Sequence, residues 1–118
     1  PLSLKSAILN YDKITTKVSK KYLLLGDMLE LGDYSKKLHE SIAPVINNTK
    51  IDKVFIKGNR AKFIFNKLSK TKKGGILYNN SQIIELIKND LNNNDYLMIK
   101  ASNATGLNKI TKNLKGIN

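Results

Sequence analysis

The sequence predicts an α/β domain built on an open, mostly parallel sheet flanked by helices. Three observations carry that prediction. Four short apolar runs recur along the chain, each is closed by a small polar loop, and amphipathic stretches lie between them. Continuous apolar runs suit strands covered on both faces. Strands alternating with helices imply parallel pairing through crossovers.

The elements follow in order. A leading helix, about Leu2 to Asn10, carries Leu4, Ala7 and Ile8. The first strand is Tyr22-Leu23-Leu24-Leu25, closed by Gly26-Asp27. Leu38, Ile42, Val45 and Ile46 form an apolar stripe at helical spacing, and Pro44 should kink or end that helix. The second strand is Val54-Phe55-Ile56, closed by Gly58-Asn59, and Ala61, Ile64, Phe65 and Leu68 stripe the next helix. Lys70 to Gly75 reads as a solvated loop before a third strand, Ile76-Leu77-Tyr78. Ser81 is the expected N-cap of a helix striped by Ile83, Ile84, Ile87 and Leu91. Asn92-Asn93-Asn94-Asp95 is a turn into the fourth strand, Tyr96-Leu97-Met98-Ile99. A last helix carries Leu107, Ile110 and Leu114. The expected order places the first strand between the second and the fourth, as in a Rossmann half.

Composition narrows the function. At 118 residues, with 41% hydrophobic content, the chain suits one domain with a compact core. It begins with Pro rather than Met, and we expect a piece of a longer protein. With no cysteine there is neither a disulfide nor a thiolate metal site, which suits a reducing compartment such as the cytoplasm. No apolar run approaches the ~20 residues of a membrane span. The net charge of +12 raises nucleic acid as a partner, but all the basic residues except Arg60 are Lys, and Arg makes most bidentate phosphate and guanine contacts. A basic α/β nucleic-acid module is kept as an alternative; it would bind with steep salt dependence.

In open α/β sheets ligands bind at the carboxyl ends of strands, where strand order reverses. Here that point lies between the first and fourth strands, at Gly26 to Gly32 and at Lys100-Ala101-Ser102-Asn103. Asp27 can accept hydrogen bonds from a ribose, hold Mg²⁺ through water, or cap a helix; Glu30 can do similar work. Lys100 brings a cation to a strand end, and Ser102 and Asn103 precede a helix whose start favours an anion. The plainer reading is that Ser102 or Asn103 is a cap and Lys100 is solvated. His39 is the one histidine and reads as a packing or surface residue. Gly58-Asn59-Arg60 reads as the start of a helix. No G-x-x-x-x-G-K-[ST] is present, and no metal-ligand cluster or Ser/His/Asp set is apparent. A phosphoacceptor receiver domain is disfavoured, because the ends of the second and third strands offer Gly58-Asn59 and Asn79-Asn80 rather than an acceptor Asp.

One segment is specific. Leu25-Gly26-Asp27-Met28-Leu29-Glu30-Leu31-Gly32-Asp33-Tyr34-Ser35, followed by Leu38-His39, resembles the LGDMLELG-x-x-S-x-x-LH signature of the Mur ligase family, in its D-alanyl-D-alanine-adding branch. Pro1 to Ile8 is similar to the end of that family's N-A-N-P-x-S-M-K-A-A segment, and Asp52 to Gly58 to its D-x-V-x-x-x-G strand. Ile99-Lys100-Ala101-Ser102-Asn103 with Gly106-Leu107 is similar to its V-K-G-S-[RN] loop, with Ala101 in place of Gly and Asn103 in place of the commoner Arg.

The resemblance implies that residues 1–118 are a single C-terminal domain of a three-domain ligase. A central domain with the P-loop would be its partner in the same chain. ATP and Mg²⁺ would serve the full-length enzyme, none held tightly by this domain alone. The substrates would be UDP-N-acetylmuramoyl-tripeptide and D-alanyl-D-alanine, with no nucleic acid and no membrane insertion. No residue here would be catalytic: Asp27 would meet the ATP ribose, and Lys100, Ser102 and Asn103 the dipeptide carboxylate. The C-terminal domain of a Mur ligase adding another amino acid is the nearer alternative, disfavoured by the Gly26-to-Gly32 loop. The expected outcome for the isolated chain is a folded domain that neither hydrolyses ATP nor forms an amide; turnover by the pure domain in a phosphate-release assay would contradict this.

Overall fold

The computed structural model describes residues 2–14, 20–27, 35–92 and 94–101. Its elements are α1 (Leu2–Asp12), β1 (Lys21–Gly26), α2 (Ser35–Glu40), α3 (Ile42–Asn47), β2 (Lys53–Lys57), α4 (Ala61–Lys67), β3 (Lys73–Ile76), α5 (Asn80–Glu85) and β4 (Tyr96–Lys100). The four strands form one all-parallel sheet in the order β3-β2-β1-β4. β1 therefore lies between β2 and β4, the order expected of a Rossmann half.

Strand side chains alternate between faces. Leu23 and Leu25 of β1, with Val54 and Ile56 of β2, pack on one face under Leu4, Ile8 and Tyr11 of α1, Ile42, Ala43 and Ile46 of α3, and Ala61 and Ile64 of α4. Leu24 meets Ile83 of α5 on the other face, with Phe55, Leu97 and Ile99 around them. Every residue of β1 is buried. That is why its sequence shows no polar alternation.

Four details, the first a break expected from Pro44, have local causes. The helix striped by Leu38 to Ile46 is broken at Ser41 into α2 and α3. Pro44 cannot donate to the carbonyl of Glu40, and its ring crowds that carbonyl, so the break falls one turn ahead of it. The third strand starts earlier than Ile76 and ends there. Lys70 to Gly75 is thus no free loop: Lys70–Lys72 is a 3₁₀ turn, and Lys73-Gly74-Gly75 is strand. The Phe55 ring lies over Gly74, where a Cβ would come within 2.7 Å of Phe55 Cζ. The Lys72 ammonium anchors the approach by donating to the carbonyls of Thr49 (2.7 Å) and Ile51 (2.8 Å). The third detail is a cap: Asn79, not Ser81, caps α5, its side chain accepting from Gln82 N–H at 2.9 Å. Gln82 Oε1 accepts in return from Tyr78 N–H, a variant of the reciprocal capping box. Fourth, the chain after Glu85 widens into one π turn, Leu86–Asp90, which brings Leu86 into the core. The final expected helix, with Leu107, Ile110 and Leu114, lies outside the described residues.

Carboxylates tie the amino ends of the strands together. Asp95 accepts from Lys20 N–H and from Asn92 N–H, closing the predicted turn. Asp52 accepts from Lys21 N–H at 2.8 Å. The buried Lys21 donates its ammonium to the Asp12 carbonyl. Part of the chain's positive charge is thus used in structural hydrogen bonds.

Ile56→Ala should cost about 2–5 kcal/mol and Asn79→Ala about 1 kcal/mol, both read from urea unfolding. Tyr11 generates a pH dependence. Its hydroxyl is buried and donates to the Tyr22 carbonyl at 2.7 Å, and burial holds its pKa well above the usual tyrosine value. The folded state then binds this proton more tightly than the unfolded chain does. The stability it adds is complete below about pH 10, the unfolded value, and falls as pH rises beyond it. Burial raises Tyr22 as well, so Tyr11→Phe should blunt, not abolish, the alkaline loss in denaturation midpoints measured from pH 8 to 11.

Candidate functional site

The carboxyl ends of β1 and β4 share one rim of the sheet. The parallel register sets Leu25 beside Lys100 and Gly26 beside Lys57. Asp27 is the first residue past β1, and Lys100 the last of β4. Alternation puts Asp27 on the face of Leu23 and Leu25. It puts Lys100 on the face of Met98, which packs in the same cluster. The two predicted residues thus occupy neighbouring strand tips on one face. Lys100 is half-buried. Ser102 and Asn103, with Glu30 and the rest of 28–34, lie outside the described residues.

The Asp27 carboxylate is held in place. Its Oδ1 accepts from the backbone N–H of Ala61, the first residue of α4, at 2.8 Å. Arg60 stands at the cap position of α4 and contributes no side-chain cap. Asp27 therefore supplies from β1 what the local sequence lacks. It also lies against Gly58, whose φ of 119° is one that L side chains rarely adopt. A Cβ on Gly58 would sit 2.4 Å from Asp27 Oδ1 and 2.6 Å from its Cγ. The carboxylate is turned toward β2 and α4, on the side of β1 away from Lys100. Of the readings open for Asp27 from sequence, helix capping is thus realised, on a helix one strand further on.

Other predicted residues sort plainly. Gly58-Asn59-Arg60 leads into α4, as expected. His39 is a buried residue of α2, 1% exposed. Sequence reasoning did not find the Asp27–Gly58–Ala61 contact. Its signal was present as a glycine at the end of one strand and an acid at the end of its neighbour, but only strand order makes them adjacent. Tyr78, beyond the end of β3, is 67% exposed, with the Lys62 ammonium 5.8 Å from its ring centre. Among the described residues, no three His, Cys, Asp or Glu side chains group so as to hold a metal ion. Nor, among them, is any helix long and apolar enough to cross a membrane. A hollow of about 380 Å³ opens among Lys20, Lys50, Asp52, Lys53 and Lys72, and one of about 410 Å³ between β3 and α5. Neither is lined by Asp27 or Lys100.

Comparison with known proteins agrees with this architecture. The family model described as Mur ligase, glutamate ligase domain matches residues 1–103. The chain is 33% identical over 117 residues to the UDP-N-acetylmuramoyl-tripeptide–D-alanyl-D-alanine ligase of Bacillus subtilis (strain 168), across 97% of this chain and 25% of that protein. It is 32% identical over 110 residues to the ligase of the same name from Rickettsia prowazekii (strain Madrid E), across 93% of this chain and 24% of that protein. The crystal structure of the MurF ligase from Thermotoga maritima in complex with ADP shares the fold, with a TM-score of 0.68 and 23% identity over 94% of this chain and 24% of that one. The chain spans about a quarter of the length of the curated relatives it matches.

Proposed function

The chain belongs to the Mur ligase, glutamate ligase domain family, and from that membership we propose that it is the C-terminal domain of a cytoplasmic, ATP-dependent ligase that joins D-alanyl-D-alanine to UDP-N-acetylmuramoyl-tripeptide in peptidoglycan synthesis. The observation that carries this reading is the shared rim: β1 and β4 are neighbours, and they bring the tip of the specific LGDMLELG segment beside Lys100.

In this reading the γ-phosphate of ATP passes to the terminal carboxylate of the tripeptide, giving an acyl phosphate and ADP. The amine of D-alanyl-D-alanine attacks the acyl carbon, inorganic phosphate leaves, and the amine proton goes to solvent or a base. Mg²⁺ would supply neutralisation of phosphate charge and would be held by the central domain. This chain's part is orientation and closure. An acid and a cation at adjacent strand tips suit a domain that swings over a nucleotide held elsewhere and excludes water. Asp27 accepts hydrogen bonds from the ribose. Lys100 holds the dipeptide carboxylate as a charge-assisted pair, with Ser102 and Asn103 completing that contact.

In the full-length ligase, Asp27→Ala should raise the KM for ATP about tenfold, and Lys100→Ala should raise the KM for D-alanyl-D-alanine by about tenfold to a hundredfold. Steady-state kinetics with each substrate varied in turn read both effects. Wild-type KM values for both substrates in both variants would overturn the site assignment.

A further inference from the structure

We propose that Gly58 is a positioning residue for nucleotide binding: together with the Ala61 N–H it fixes the orientation of the Asp27 carboxylate. The inference rests on the reading above, in which Asp27 meets the ribose, and adds to it the device that holds Asp27 ready.

Two independent features of the structure converge on this carboxylate. One is a hydrogen bond: Oδ1 accepts from Ala61 N–H at 2.8 Å. The other is steric: the carboxylate lies on the Cα of Gly58, so close that a Cβ there would fall 2.4 Å from Oδ1, 2.6 Å from Cγ and 2.9 Å from Oδ2. The backbone at Gly58 is also in a region L side chains rarely adopt, with φ of 119°. Glycine is therefore needed twice over, for the turn out of β2 and for the space the carboxylate fills. An aspartate on a strand tip otherwise turns about χ1 and χ2 and loses that freedom on binding a ligand. Here one acceptor position on Oδ1 is committed to the protein, and the others remain for a ligand. A preset acceptor loses less entropy when a ribose hydroxyl arrives. The contact also couples two loops: any movement of the β2–α4 turn moves the nucleotide contact on β1.

The test uses the full-length enzyme and the discrimination between ATP and its 2′-deoxy and 3′-deoxy analogues, taken as the ratio of kcat/KM values. A general loss of stability lowers all of these rates together and leaves the ratios alone. The expected result is that wild type prefers ATP over at least one analogue by about tenfold, that Asp27→Ala abolishes the preference, and that Gly58→Ala reduces it severalfold while the KM for D-alanyl-D-alanine stays within about twofold. If Asp27→Ala abolishes the preference and a folded Gly58→Ala retains it in full, the positioning role is wrong and the ribose contact stands. If Asp27→Ala retains the preference, the ribose contact itself is wrong and the positioning role falls with it. Should Gly58→Ala fail to fold, hydrogen exchange in the wild-type enzyme decides. The Ala61 amide should stay protected when a non-hydrolysable ATP analogue binds. Loss of that protection would show Asp27 leaving Ala61 to meet the nucleotide, and would overturn the proposal.

Discussion

The fold depends on one constraint: β1 is paired along both edges and buried on both faces. β2 and β4 occupy its edges in parallel register. Leu23 and Leu25 face the α1, α3 and α4 layer, and Leu24 faces α5. A strand so enclosed cannot slip by one residue without sending Leu24 into the wrong layer. The register in turn fixes which strand tips are neighbours. Leu25 ends paired with Lys100, and Asp27, two residues on, meets the Gly58 turn.

Much of this was legible because burial on both faces leaves a plain signature. The Tyr22-to-Leu25 and Val54-to-Ile56 runs are continuous and apolar, and both are strands. The β3 region was misplaced for a physical reason. Lys73-Gly74-Gly75 has weak β propensity, and it is a strand because the Phe55 ring covers Gly74 and Lys72 anchors its start. Those are long-range contacts, which no local pattern encodes. The cap of α5 was displaced by two residues because Asn79 and Ser81 are both good caps, and the pairing of Asn79 with Gln82 decides between them.

The site was partly legible. Its position follows from strand order alone, and the Asp27 and Lys100 tips do share a rim. The direction of the Asp27 side chain was not legible, because it depends on Ala61 and Gly58, more than thirty residues away in sequence. Helix capping and ligand contact are compatible for a carboxylate, since its two oxygens offer several acceptor positions. Through Oδ1, Asp27 fastens the β2–α4 turn.

The most direct test of the central claim is a structure of the full-length ligase with a non-hydrolysable ATP analogue bound and this domain closed. The expected result is an Asp27 carboxylate oxygen within about 3 Å of a ribose hydroxyl. A closed complex in which the ribose contacts other residues, with Asp27 still turned to α4 and remote from the nucleotide, would contradict it.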